Sequence, residues 1–207
     1  EGDTISFVTS YEFAKESEVL SYITTGIKDS ISSGVYVVDL KKYDKKNIYE
    51  SHEKTKYFQH TISDSGKKIA FIVDTDSSKS YHRNNEFYIW DNSQNNLKLI
   101  ANTEISPDGY RVSSDGVVSF SKDESKLYFG LALPEIYQDT SLLDEEIVNV
   151  EVWSYDEPRL YTIQEKQLNN DKKKSFQTVY HFKEDKIIQI ANKEFPRAFL
   201  SDEGNGD

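Results

Sequence analysis

The chain has 207 residues, a net charge of −11 from 36 acidic against 25 basic side chains, no cysteine and no methionine. The missing cysteines exclude disulfides, thiolate metal sites and cysteine nucleophiles, and the acidic balance disfavours nucleic acid and anionic membranes. Aromatic residues make up 13 % of the chain; with abundant Val and Ile they favour pleated strands, and apolar runs such as IAFIV are too short to span a bilayer.

Taken in chain order, the elements repeat. The first unit has a heading AKESEVLSY (Ala14–Tyr22), then GVYVVDL (Gly34–Leu40), an alternating run that ends in Asp39, then a closing strand at NIYES. The second unit opens with KYFQHTIS, turns at SDSGKKIAFIVD (Ser63–Asp74), and continues through EFYIWDN (Glu86–Asn92) to LKLIA, with Asp91 matching Asp39. Lysine runs at Lys41–Lys42, Lys45–Lys46 and Lys172–Lys174 read as solvated. In the third unit ISPDGYRVSSDG (Ile105–Gly116) looks like a heading, but apolar alternation does not follow it, so it reads as a connection. The true heading is SKDESKLYFGLA (Ser121–Ala132), with Phe129 in the place of Phe71.

The third unit is longer. FQTVYHFKEDKIIQIA (Phe176–Ala191) matches FYIWDNSQNNLKLIA, Tyr180 for Trp90 and Ala191 for Ala101, so an insertion is expected near residues 134–174. It contains the strand-like VNVEVWSYD and LYTIQEKQLNNDKKK, which fits a short helix or an irregular excursion. SDEGNGD (Ser201–Asp207) repeats the heading once more. Gly66 supplies the permissive backbone for its turn; Glu124 and Ser17 stand in the same place, so those turns are expected to be less strained or differently built.

The expected fold is therefore all-β: four-stranded antiparallel meanders stacked as blades of a partial β-propeller, about three blades plus the start of a fourth. The approximate repeats are 5–52, 56–104, 112–192 and 196–207, forming one propeller segment over 1–207. A meander cannot cover both of its faces alone, and stacking lets neighbours cover each other. The chain opens on EGDTISF without Met and stops within a unit, so the sequence reads as part of a larger protein.

The headings SDSGKKIAF and FSKDESKLYFG, with VYVVDL and FYIWDN, resemble TolB-type propeller repeats. The string VSSDGVVSFSKDESKLYFGLALPEI, continuing through VEVWSYDEPRL to KKKSFQTVYHF, resembles the propeller of bacterial prolyl-oligopeptidase-like and dipeptidyl-peptidase-like serine peptidases. That resemblance implies a non-catalytic propeller that gates access of peptide substrates and docks on a separate α/β-hydrolase domain, which is absent from this chain. The catalytic Ser, Asp and His would belong to that domain, and none of their positions is carried over. Residence in the periplasm or cell envelope is implied by the resemblance alone. The alternative is a TolB-like scaffold for protein interaction at the cell envelope.

No residue emerges as catalytic, cofactor-binding or metal-binding. There is no G-x-S-x-G nucleophile elbow, and His52, His60, His82 and His181 show no metal-ligand spacing. Asp74-Thr75-Asp76-Ser77-Ser78 begins like a calcium loop, but Lys79 stands where such a loop needs Gly. Trp90 and Trp153 read as packing between blades, with carbohydrate stacking as the alternative. The best place for function is the insertion, where Ser141 with Asp144 fits a capping pair for a helical turn and Leu142, Leu143 and Ile147 would then cover a neighbour such as the hydrolase domain; the alternative is a longer surface excursion. An isolated segment is also expected to self-associate through its exposed blade edges.

Overall fold

The computed structural model describes residues 4–25, 32–52, 55–76, 83–134 and 159–205. Three antiparallel sheets follow one another along the chain. The first is β1 (Val8–Phe13), β2 (Val19–Thr24), β3 (Gly34–Asp39) and β4 (Asp44–Glu50). The second is β5 (Lys56–Ile62), β6 (Lys68–Asp74), β7 (Glu86–Asp91) and β8 (Asn96–Ala101). The third holds β9 (Arg111–Val112), β10 (Ser119–Phe120), β11 (Lys126–Ala132), β12 (Phe176–His181) and β13 (Lys186–Gln189), and α1 (Tyr161–Lys172) precedes β12. The first two sheets are meanders in strand order, as expected for propeller blades, and in the third β10 to β13 run in order while β9 also pairs with β11.

Stacking follows from the twofold alternation of side chains along a strand. In β6 the residues Ile69, Phe71 and Val73 pack with Ile23, Val35 and Val37 of the first blade. Their neighbours Ala70 and Ile72 point the other way, to Leu127, Phe129 and Leu131 of the third blade. β7 divides likewise, Trp90 toward the first blade and Phe87 with Ile89 toward the third. This is why IAFIV is apolar at every position: both faces of the middle blade are buried. At one edge β1 and β5 adjoin, as the inner strands of neighbouring blades must.

The heading is a closed six-residue turn. The amide of residue one donates to the carbonyl of residue six at Ala14/Val19, Ser63/Lys68 and Ser121/Lys126, at 2.9, 2.9 and 3.0 Å. The serine hydroxyls also accept the Lys68 and Lys126 amides at 3.1 and 3.0 Å, which explains the recurrent Ser. Gly66 sits at φ 74° and Gly204 at φ 81°, and both amides bond back three residues, to Ser63 and Ser201. The chain thus begins a fourth heading, and it docks on the third blade: Tyr128 donates to the Gly204 carbonyl at 2.7 Å and Lys126 to that of Asn205 at 2.9 Å.

Two sequence expectations need correction. Glu124 does not relax its turn: at φ 57° it keeps the left-handed geometry of Gly66. Its carboxylate accepts the Ser65 amide at 2.6 Å and the Ser65 hydroxyl at 2.7 Å, so the side chain latches the third blade to the second. The turn at Ser17 is differently built, because Ser17 lies outside the left-handed region. The decoy is also more than a connection: Arg111 and Val112 pair with Ala132 and Leu131. The inner strand is split into β9 and β10 by a loop, where Gly116 passes so close to Gly130 that a Cβ on either would lie under 3 Å from the other's backbone.

Replacing Glu124 separates strain from contact. Glu124→Ala keeps the left-handed strain and loses two charge-assisted hydrogen bonds, so it should cost about 1.5–3 kcal/mol. Glu124→Gly relieves about 1 kcal/mol of strain and should fall between wild type and Ala. Urea midpoints give the order directly, and a Gly variant more stable than wild type would refute the latch.

The Asp that ends the third strand also has a physical role. Asp39 Oδ1 accepts the amides of Lys41 and Lys42 at 3.0 and 3.2 Å. Asp91 does the same for Ser93 and Gln94 at 2.8 and 3.0 Å. Each turn closes on a left-handed residue, Tyr43 and Asn95, and Asp185 takes that place in the third blade, where His181 replaces the capping Asp. Among the described residues no helix is long and apolar enough to cross a membrane.

Candidate functional site

A meander places alternate connections at opposite ends of a blade. The headings and the Asp-capped turns share one end, where everything is short. The opposite end receives the connections from β2 to β3, β6 to β7 and β11 to β12, together with the links between blades. Variable loops on a rigid scaffold are where binding is expected, and this end carries α1.

At that end a cleft of about 150 Å³ lies between the second and third blades, and Lys56, Phe58, Asp74, Arg83, Asn85, Arg111, Val112, Ser113, Ser114, Asp115, Ala132 and Lys172 line it. The floor is rigid. Asn85 is buried and donates to the Val112 carbonyl at 3.0 Å, joining the two blades. Asp74 is buried on β6, 3.4 Å from the Arg83 guanidinium, which also donates to the Asp76 carbonyl at 2.6 Å. Ser113 Oγ accepts the amides of Asp115 and Gly116 at 3.2 and 3.1 Å, which folds the loop that splits the inner strand. Gln59, left-handed at φ 48° in the β5 bulge, donates to the Ser114 carbonyl at 3.0 Å. Lys172 comes from the last turn of α1, which Arg159 braces through Asp171 at 2.9 Å and Gln167 at 2.8 Å.

The cleft gathers four cations against two carboxylates in a protein that is acidic overall. Sequence reasoning missed it because Lys56, Arg83, Arg111 and Lys172 come from separate segments and form no local pattern. Lys172 is exposed, as expected for a solvated run, but it also lines this cleft. Lys45 is exposed as expected, and it also lies 4.9 Å from the Tyr36 ring centre, while the half-buried Lys46 lies 4.8 Å from that of Trp90, so both cover aromatic faces.

The remaining sequence candidates are placed as follows. His60 lies on β5 between the first two blades, with Nδ1 3.2 Å from Ser10 Oγ and Nε2 2.8 Å from Ser21 Oγ. Burial pushes its pKa down to about 4. Hydroxyls occupy both ring nitrogens, which makes the neutral imidazole a clasp between blades. His181 lies on β12 with Nδ1 3.8 Å from Glu184, and His52 follows β4 in a loop. Trp90 packs between blades as expected. Asp74, first residue of the calcium-like stretch, is engaged with Arg83. His82, Trp153, Ser77 to Lys79, the strand-like VNVEVWSYD, the Ser141–Asp144 pair and Leu142, Leu143 and Ile147 lie outside the described residues. From LYTIQEKQLNNDKKK the structure forms the helix α1.

No family model matches this chain, and no curated protein does. Among solved structures it is similar to TolB from Acinetobacter baumannii, at 13 % identity and a TM-score of 0.47, over 90 % of this chain and 32 % of that one. It is similar to dipeptidyl peptidase 4 of Porphyromonas gingivalis at 15 % identity and a TM-score of 0.49, over 90 % of this chain and 26 % of that one. The β-propeller domain of the Trilobed protease from Pyrococcus furiosus matches at 14 % identity and a TM-score of 0.47, over 88 % of this chain and 42 % of that one. The chain thus spans less than half the length of each of these structures. It is a run of propeller blades. That assignment rests on the sheets, their register and the repeated headings.

Proposed function

We propose that the chain is a non-catalytic propeller segment of a prolyl-oligopeptidase-like serine peptidase, which gates access of peptide substrates and docks on an α/β-hydrolase domain of the same parent. The observation that carries this reading is the resemblance of VSSDGVVSFSKDESKLYFGLALPEI to such propellers, now set on a true third blade with a long excursion between its second and third strands. The blade supplies rigidity and the excursion supplies a surface at the loop end. Leu160, Ile163 and Leu168 are exposed there on and beside α1 and would pack against the hydrolase domain.

The parent reading frame tests this. A G-x-S-x-G elbow followed by Asp and His, in a region of alternating strands and helices, is the expected result. A frame with further blades and no hydrolase domain would overturn the reading in favour of a TolB-like interaction scaffold.

The same reading treats the outer blade faces as surfaces for further blades. Tyr11 and Phe13 are exposed on the first blade, and Val117 and Phe199 beside the third. The segment alone should therefore self-associate. Sedimentation is expected to show a mass that rises with concentration; a monomer at every concentration would contradict this.

A further inference from the structure

We propose that the cleft between the second and third blades is a binding site for a small anionic group, a carboxylate or a phosphate. This goes beyond the peptidase reading and does not depend on it, since every residue involved belongs to this chain.

Three observations carry it. First, the cleft is built. Its floor of Asp74, Asn85, Val112 and Ser113 is buried, and the bond from Asn85 to the Val112 carbonyl fixes the two blades at this point. Second, its charges are arranged in two tiers. Asp74 is neutralised by Arg83, and Arg111 has a contact of its own. At the rim stand Lys56 and Lys172, neither of which has an ion-pair partner among the described residues. A ligand charge would therefore meet two ammonium groups that are not already committed. Third, the size fits one anionic head. A volume of about 150 Å³ admits a carboxylate or a phosphate with a small substituent against Phe58, and is too small for an extended peptide.

The net charge of −11 does not defeat such binding. Salt screens distant carboxylates over about 8–10 Å, so the nearest charges decide. The exposed Asp115 at the rim opposes the ligand, which makes the expected affinity modest and dependent on salt.

Nitrogen–proton correlation spectra of the whole chain test the site, titrated at a constant ionic strength of about 0.1 M with inorganic phosphate and separately with N-acetylglycine. The titration is run below the concentration at which sedimentation shows association. The expected result is a saturable set of shifts centred on Lys56, Arg83, Asn85 and Ser113 to Asp115. The double variant K56A/K172A should bind about tenfold more weakly, a change worth about 1.4 kcal/mol. Both lysines are exposed, so the variant should fold, and the unchanged dispersion of its spectrum checks this. K183A, at an exposed lysine in the turn after β12, should bind as wild type. Saturation by phosphate alone, or by the carboxylate alone, would support the site and define its ligand. Absence of saturation with both probes, or equal binding by wild type and K56A/K172A, would overturn the proposal.

Discussion

Phe129→Ala should lower the unfolding free energy by about 3–5 kcal/mol, the usual cost of emptying a large aromatic site in a core. Phe129 is 1 % exposed, and its ring centre lies 4.8 Å from that of Phe87. The two rings belong to different blades, so the cavity opens at the plane where the second blade meets the third. The loss combines apolar burial, the contact between rings, and the failure of two packed sheets to collapse around a hole. Urea unfolding of wild type and variant measures it. A change below 1 kcal/mol would mean that the two blades are not packed through this pair. A swap of similar volume, Phe129→Leu, should recover much of the loss.

The second large effect is acid sensitivity at His60. Burial lowers its folded pKa from 6.5 to about 4. Above pH 6.5 the imidazole is neutral in both states and its contribution is fully present. Between 6.5 and 4 the unfolded chain takes up a proton that the folded chain refuses, so stability falls with falling pH, by about 3 kcal/mol over the window. Most of the change precedes the carboxylates: Asp123, held down to about 2 by hydrogen bonds from Ser121 and Ser125, acts only in stronger acid. His60→Gln should flatten the stability profile between pH 6.5 and 4.5, even if it lowers the plateau. An unchanged slope in that variant would show that His60 is not the group responsible.

Much of the blade architecture was legible because its determinants are local. The serine heading and the Asp-ended strand each close a hydrogen-bonded turn within six residues, and the alternating strands show their buried faces by side-chain type alone. The match of Tyr180 to Trp90 holds in the register: Trp90 stands opposite Ile69, and Tyr180 opposite Leu127. Glu124 was misjudged because local rules ask for Gly at a left-handed position, whereas its carboxylate finds a partner 59 residues away. Arg111 and Val112 were misjudged because a strand of two residues shows no alternation. His60 showed only its strand position in sequence; its serine partners come from β1 and β2. The cleft was illegible for the same reason, since its cations meet only once two blades are stacked.

The reading as a segment of a serine peptidase is tested most directly by treating the full-length parent with a fluorophosphonate and mapping the modified peptide. The account predicts one labelled serine outside residues 1–207, in an α/β-hydrolase domain, with residues 1–207 unlabelled when treated alone. No labelling of an active parent, or a label on a serine within these blades, would contradict it.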